Sequence, residues 1–356
     1  MKCKKRNLLE ALQIASRVSR LALSKNRQNC LLDAANDQVV VSTGEMEVSL
    51  PLEIDGSDSW CIHPARLQAI VNAIEGDEVE IVPTPDDKKN GLLQEETASV
   101  GNYHGLYVHN PAKFLRMDPV DTTKSVKVPR NALRKILPAI SRNRNKIPVK
   151  VQGIFLDASQ GNVVATDEHR MHIASAPGIQ DNLFIPADAI DLIYGTGIGG
   201  NVIEFQYDDE LSQAIVSGVA GTLITEIEER QGLDYSSITT PHPETEQFSI
   251  NLDDIAPVLK QVRVLVSKDE KYITLTIGDG NIEVEMLNPD LAKYENTHVP
   301  IKGGSDVPTK FHFVADQFYD AIRTADGEIT VEYYNKITPF IIKHGDLTAA
   351  LMPCTQ

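Results

Sequence analysis

Residues 163–174 read VVATDEHRMHIA, and between Asp167 and His172 they gather two acids, two histidines and an arginine, with apolar residues on both sides. Such a cluster suits acid–base or metal chemistry, or else a charged turn belonging to the scaffold. Val164, Thr166, Met171 and Ile173 alternate with their neighbours. Each arm therefore has an inward and an outward face, and the stretch reads as a β-hairpin closed by the charged residues. The helical HExxH spacing of a zinc protease is missing. No serine or cysteine is recognisably paired with His169. Earlier in the chain, Thr43-Gly44-Glu45-Met46-Glu47 is set against Thr166-Asp167-Glu168-His169-Arg170 and contains no histidine. The turn is therefore read as scaffold.

That correspondence belongs to a longer repetition. The run Arg6-Asn7-Leu8-Leu9-Glu10-Ala11-Leu12 returns as Arg130-Asn131-Ala132-Leu133-Arg134-Lys135-Ile136, and its apolar spacing returns again in Asn251–Leu259. Leu133, Ile136, Leu137 and Ile140 form one stripe at helical spacing; Ile255, Val258, Leu259 and Val262 form another. A hairpin follows each copy: 30–34 with 39–43, 153–157 with 163–166, and 273–277 with 282–286, joined by turn formers such as Asn36-Asp37. Second helices are predicted from Pro64, Pro186 and Val314, each leading to a strand, 77–82, 200–207 and 327–334. The glycine-rich 195–200 follows a helix instead of linking a strand to one, so it reads as a helix-to-strand loop and not a phosphate loop. Linkers fall at 117–125 and 239–247. The expected fold is α+β: three similar domains, 1–119, 122–242 and 245–356, each of two helices and antiparallel sheets. The basic start, 1–23, then reads as the first strand and helix of repeat one and not as a transit peptide.

The net charge is −16, with 34 Lys and Arg against 50 Asp and Glu. The sum argues against nucleic acid, but the distribution matters more. Lys2, Lys4, Lys5, Arg6, Arg17, Arg20, Lys25 and Arg27 crowd the start with one acid, Glu10. The segment 124–150 holds nine basic residues and no acid, among them Arg130, Arg134, Arg142, Arg144 and Lys146. Two basic islands in an acidic chain imply one positive face. No apolar run is long enough to span a membrane. The four cysteines show neither a CxxC pair nor zinc spacing, as suits reduced thiols in a cytoplasmic protein. No cofactor or metal is expected.

Three α+β repeats, ATDEHR after a glycine-led apolar strand, and the ending Met352-Pro353 together resemble the bacterial DNA sliding clamps, the beta subunits of DNA polymerase III. The resemblance covers the whole chain in order. It implies a non-catalytic processivity factor: a head-to-tail homodimer closed into a ring around double-stranded DNA, read without sequence preference. Polymerase and clamp-loader subunits would dock through linear peptides. Carried over residue by residue, the peptide pocket comprises Val151, Thr166, His169, Arg170, Met171, Leu233, Ile238, Ala350, Met352 and Pro353. Arg17, Arg20, Arg142, Arg144 and Lys146 would face DNA. Leu106 and Tyr107, within 105–109, would meet Leu265 and Val266, within 264–267, between subunits. Three departures stand out: Glu168 where the family usually has glycine, Ser237 where it commonly has arginine, and no proline-rich segment between Ala22 and Cys30. Two rival readings remain: an enzyme using Asp167, Glu168 and His169, and a three-domain interaction protein that never encircles DNA.

Overall fold

Helices form where apolar residues recur three and four apart. The computed structural model describes residues 1–22, 27–83, 96–109, 111–140, 152–210, 212–229, 233–269, 271–278, 280–325 and 327–354. Helix α1 (Lys5–Ser19) buries Leu8, Leu12, Ala15 and Val18 and turns Arg6, Glu10 and Arg17 outward. Helix α2 (Pro64–Ala73) opens on proline, whose missing N–H has no intrahelical partner to lose there. Helix α3 (Arg130–Ile136) buries Leu133 and Ile136 but stops short of the expected stripe. Pro138 cannot donate to the helical ladder, and the chain tightens into the 3₁₀ turn Leu137–Ala139 while still burying Ile140. Helix α4 (Ala187–Thr196) and the single turn α5 (Ser236–Thr239) follow. Asn251 caps α6 (Leu252–Val262), its side chain accepting from the Asp253 N–H at 3.0 Å. Helix α7 (Ala315–Ile322) buries Phe318, Ala321 and Ile322. Among the described residues no helix is long and apolar enough to cross a membrane.

The hairpins assemble into four antiparallel sheets among the described residues. In the eight-stranded sheet, Met46–Pro51 of the first repeat pairs with Gly221–Glu226 of the second, Val48 opposite Leu223. In the ten-stranded sheet, Arg170–Ser175 of the second repeat pairs with Leu347–Leu351 of the third, Met171 opposite Ala350. The same joint is thus made twice. Two four-stranded sheets remain. One has Tyr103–Val108 at its edge and the other has Ala292–Pro300.

By contact the chain divides into two compact units, Met1–Lys127 with Asp188–Glu228, and Val128–Ala187 with Glu229–Gln356. In the first unit α1 packs its apolar stripe against α2 and the strand Gln38–Ser42, whose Val39, Val40 and Val41 are buried. In the second, Phe311, Phe313, Tyr333 and Phe340 form an aromatic core, with Phe340 4.7 Å from both Phe311 and Phe313 between ring centroids. Gly153 is required by packing: a Cβ there would stand 2.2 Å from the Ile185 carbonyl oxygen of the neighbouring strand.

The register between the two hairpin turns is a correction. The strands end at Ser42 and Thr166, so Thr43 matches Asp167 and Gly44 matches Glu168, one residue away from the pairing read in the sequence. Gly44 and Glu168 both have positive φ, 100° and 72°. A threonine shared by chance had set the sequence alignment; the left-handed turn position sets the structural one.

Candidate functional site

The turn at 167–169 is held by its own side chains. Asp167 accepts from the His169 and Arg170 backbone N–H groups at 3.2 and 3.0 Å, and from Arg170 Nε at 2.9 Å. Arg170 Nη1 reaches Asp320 of α7 at 2.8 Å, and Thr166 Oγ1 donates to the Arg170 carbonyl at 2.8 Å. The carboxylate of Asp167 is thus engaged by structural donors on both oxygens. Glu168, in a left-handed conformation that costs a non-glycine residue about 1–2 kcal/mol, is exposed at the tip.

Alternation divides the hairpin between two environments. His172 is buried on the side of α3, its Nδ1 2.9 Å from the Lys135 carbonyl oxygen, and burial lowers its pKa to about 4. On the other face Val164, Met171 and Ile173 join Phe155, Ile341 and Ala350 in a small core, covered by Tyr235 and, partly, by Leu233. The Tyr235 hydroxyl donates to Asp157 Oδ2 at 2.5 Å and accepts from Asn162 Nδ2 at 3.0 Å. Burial, then the bond to Asp157, raises the Tyr235 phenol. Burial alone would raise Asp157 as well, but hydrogen bonds from Ser159, Tyr235 and the backbone outweigh it and hold that carboxyl below its usual range. Tyr235 thereby fastens the segment after residue 233 to the hairpin.

Above this core opens a pocket of about 800 Å³. Thr166, Glu168, His169 and Arg170 form the turn side, and Met171, Ile341, Ala350 and Met352 the apolar floor. Ile238 and the run Pro241-His242-Pro243 form a second wall; Tyr333, Tyr334 and Pro339 form a third. The tail is tied to the turn, because the Met352 N–H donates to the His169 carbonyl at 2.9 Å. Ile238 and Met352, each over a third exposed, are large apolar side chains open to a partner.

Of the residues expected at a pocket, Thr166, His169, Arg170, Met171, Ile238, Ala350 and Met352 come together here. Leu233 packs into the core beneath, and Pro353 is buried away from the lining. Val151 lies outside the described residues, as do Arg142, Arg144 and Lys146. Arg17 and Arg20 are exposed at the end of α1, and Arg17 places its guanidinium against Gly195, where a Cβ would come within 2.8 Å of Nη1. Leu106 and Tyr107 lie on the edge strand Tyr103–Val108, and their side chains are outside the description. Leu265 and Val266 are half-buried against the third repeat's core, beside an exposed Val264. The wall from 241 to 243 was missed because its composition signals a linker; two prolines around a histidine are also what stiffens such a wall.

At the equivalent place in the first unit a buried acid stands where Met171 forms the apolar floor. Glu47 pairs with Ser42 as Met171 pairs with Thr166. The buried Glu47 carboxylate accepts from Arg116 Nε at 3.0 Å, Arg116 Nη2 at 2.6 Å and the Met117 N–H at 2.9 Å. A polar latch with the linker takes the place of an open apolar floor.

No family model and no curated protein matches this chain. Solved structures match it from end to end. The beta sliding clamp of Caulobacter crescentus is 18% identical with a TM-score of 0.81, covering 100% of this chain and 98% of that one. The Bartonella birtlesii sliding clamp, DNA polymerase III subunit beta, solved bound to griselimycin, is 18% identical with a TM-score of 0.80 and 100% coverage of both. The Bacillus subtilis DNA polymerase sliding clamp is 15% identical with a TM-score of 0.77, covering 100% and 98%. Identity this low speaks to the fold, and the fold expected from ATDEHR and Met352-Pro353 is borne out.

Proposed function

We propose that this chain, which has the fold of the DNA polymerase III beta sliding clamps, works as a sliding clamp: a homodimeric ring around duplex DNA that tethers a polymerase and other partners through its peptide pocket. The carrying observation is the pair of unfinished sheets. Within the chain, a four-strand half from one repeat joins a four-strand half from the next at 46–51 with 221–226, and a comparable joint forms at 170–175 with 347–351. The remaining halves end in Tyr103–Val108 and Ala292–Pro300, each a strand paired on one side only among the described residues and so an edge of the kind that invites another strand. Pairing one edge with the other in a second copy completes an eight-stranded sheet, and two such contacts close a dimer. Leu106 and Tyr107 on the first edge, with Leu265 and Val266 near the second, are the proposed contact residues, and 1–119, 122–242 and 245–356 the proposed domains.

The charge distribution supports DNA in the opening. Arg17 on α1 and Arg20 just past its end, with Arg142, Arg144 and Lys146 after α3 in the sequence, supply phosphate contacts that carry no base information and so permit sliding. The excess of acids elsewhere repels DNA from other surfaces. An acid–base or metal role for Asp167, Glu168 and His169 is not favoured, because Asp167 is committed to the turn. The site of action is proposed to be the cytoplasm.

The test is topological. Solution mass at micromolar concentration is expected to give a dimer, and protein loaded on nicked circular DNA is expected to be released when the circle is linearised. A monomer throughout, or retention indifferent to linearisation, overturns the reading.

A further inference from the structure

We infer that the pocket selects peptides that carry an arginine or lysine beside their apolar anchors; this rests on the peptide-docking reading above. The floor of Met171, Ile341, Ala350 and Met352 suits aliphatic or aromatic anchors. The rest of the lining has different chemistry. His242 and Tyr334 stack with ring centroids 3.9 Å apart and planes 14° from parallel. Carboxylates flank the stack. Glu244 accepts from the Tyr334 hydroxyl at 3.0 Å, and its N–H donates to His242 Nδ1 at 3.2 Å. Glu332, in the lining, accepts from Lys343 Nζ at 2.6 Å through Oε1, while its Oε2 is enclosed with no hydrogen-bond partner among the described residues. Glu168 stands exposed at the mouth.

Among the described residues of the lining there is no lysine, and the one arginine is already engaged. Arg170 is 13% exposed and divides its guanidinium between Asp167 and Asp320. An aromatic face beside carboxylates attracts a cation. An acidic peptide side chain would be repelled by the exposed Glu168 at the mouth.

Two synthetic peptides test this, both with the same leucine and phenylalanine anchors and differing by an arginine or a glutamate next to them. Each is titrated against the full-length protein by fluorescence anisotropy at low and at high salt. The arginine peptide is expected to bind about tenfold more tightly at low salt, with the ratio shrinking as salt rises. Glu332→Gln is expected to narrow the ratio severalfold. Should loss of the Lys343 partner disturb the fold, Glu168→Gln on the exposed turn carries the same test, with a smaller narrowing expected. Equal affinities, or a preference for the glutamate peptide, overturn the inference and leave the docking reading standing. If neither peptide binds, the docking reading falls and the inference falls with it.

Discussion

Replacing Tyr235 with Phe removes a single oxygen from beneath the pocket and leaves the ring in place among Phe155, Val164, Met171, Ile341 and Ala350. The aromatic packing is unchanged, so the cost lies in hydrogen bonds. Asp157 is 1% exposed; its Oδ1 already accepts from Ser159 N and Oγ at 2.8 and 2.6 Å, whereas Oδ2 depends on Tyr235. Loss of a hydrogen bond to a buried charged group costs about 1.5–3 kcal/mol, and half-buried Asn162 loses an acceptor as well. We expect a loss of about 2 kcal/mol, or a fall in Tm of about 4–8 °C for a unit of this size. Because the Tyr235 hydroxyl helps hold the Asp157 carboxyl below its usual range, the deficit is largest at neutral pH and closes as pH falls through the Asp157 titration. The wall carrying Ile238 and Pro241 also loses its fastening, so a bound peptide dissociates faster. Urea denaturation of both proteins at neutral and acid pH, with a peptide titration beside it, reads each effect. Equal stability and equal peptide affinity in the variant would refute the reasoning that Tyr235 positions the wall.

Burial lowers the His172 pKa to about 4 from an ordinary 6.5, so its contribution to stability is complete above pH 6.5 and is lost as pH falls toward 4, about 3 kcal/mol in all. Urea midpoints between pH 7.5 and 4.5 measure this, and a His172 imidazole that titrates near 6.5 contradicts it. Deleting residues 352–356 removes Met352 from the floor and its bond to His169, and is expected to abolish peptide binding while the dimer persists; unchanged affinity in the truncated protein rejects the pocket assignment. Replacing Arg20 with Gln is expected to reduce the salt dependence of DNA binding by about one phosphate contact without changing sequence preference. Replacing Arg17 is expected to do less, since its guanidinium already rests against Gly195 at the end of α4. Equal slopes for Arg20→Gln and the parent protein remove Arg20 from the DNA face.

Local pattern determined much of this protein without help. Helix and strand periodicities depend on residues a few positions apart, so α1, α6, the three hairpins and their recurrence about every 120 residues were legible. So was the turn at 167–169, whereas the expected pocket residues, Met352 among them, came from the resemblance to the sliding clamps and not from local pattern. Tertiary structure alone decided what those pieces meet. That Arg170–Ser175 pairs with Leu347–Leu351, and that Ala292–Pro300 stands at a sheet edge, depends on strands far apart in sequence, between which no short-range pattern sets a register. Leu233 and Ile238 sit five residues apart in one apolar-containing segment, yet Leu233 faces the core and Ile238 the pocket, because Tyr235 is bonded to Asp157 between them. Glu47 and Met171 hold equivalent places, and which becomes latch and which becomes floor follows from whether an arginine such as Arg116 arrives from elsewhere in the chain. A side chain's alternation says that it has two faces to choose between; only the groups packed against each face choose one.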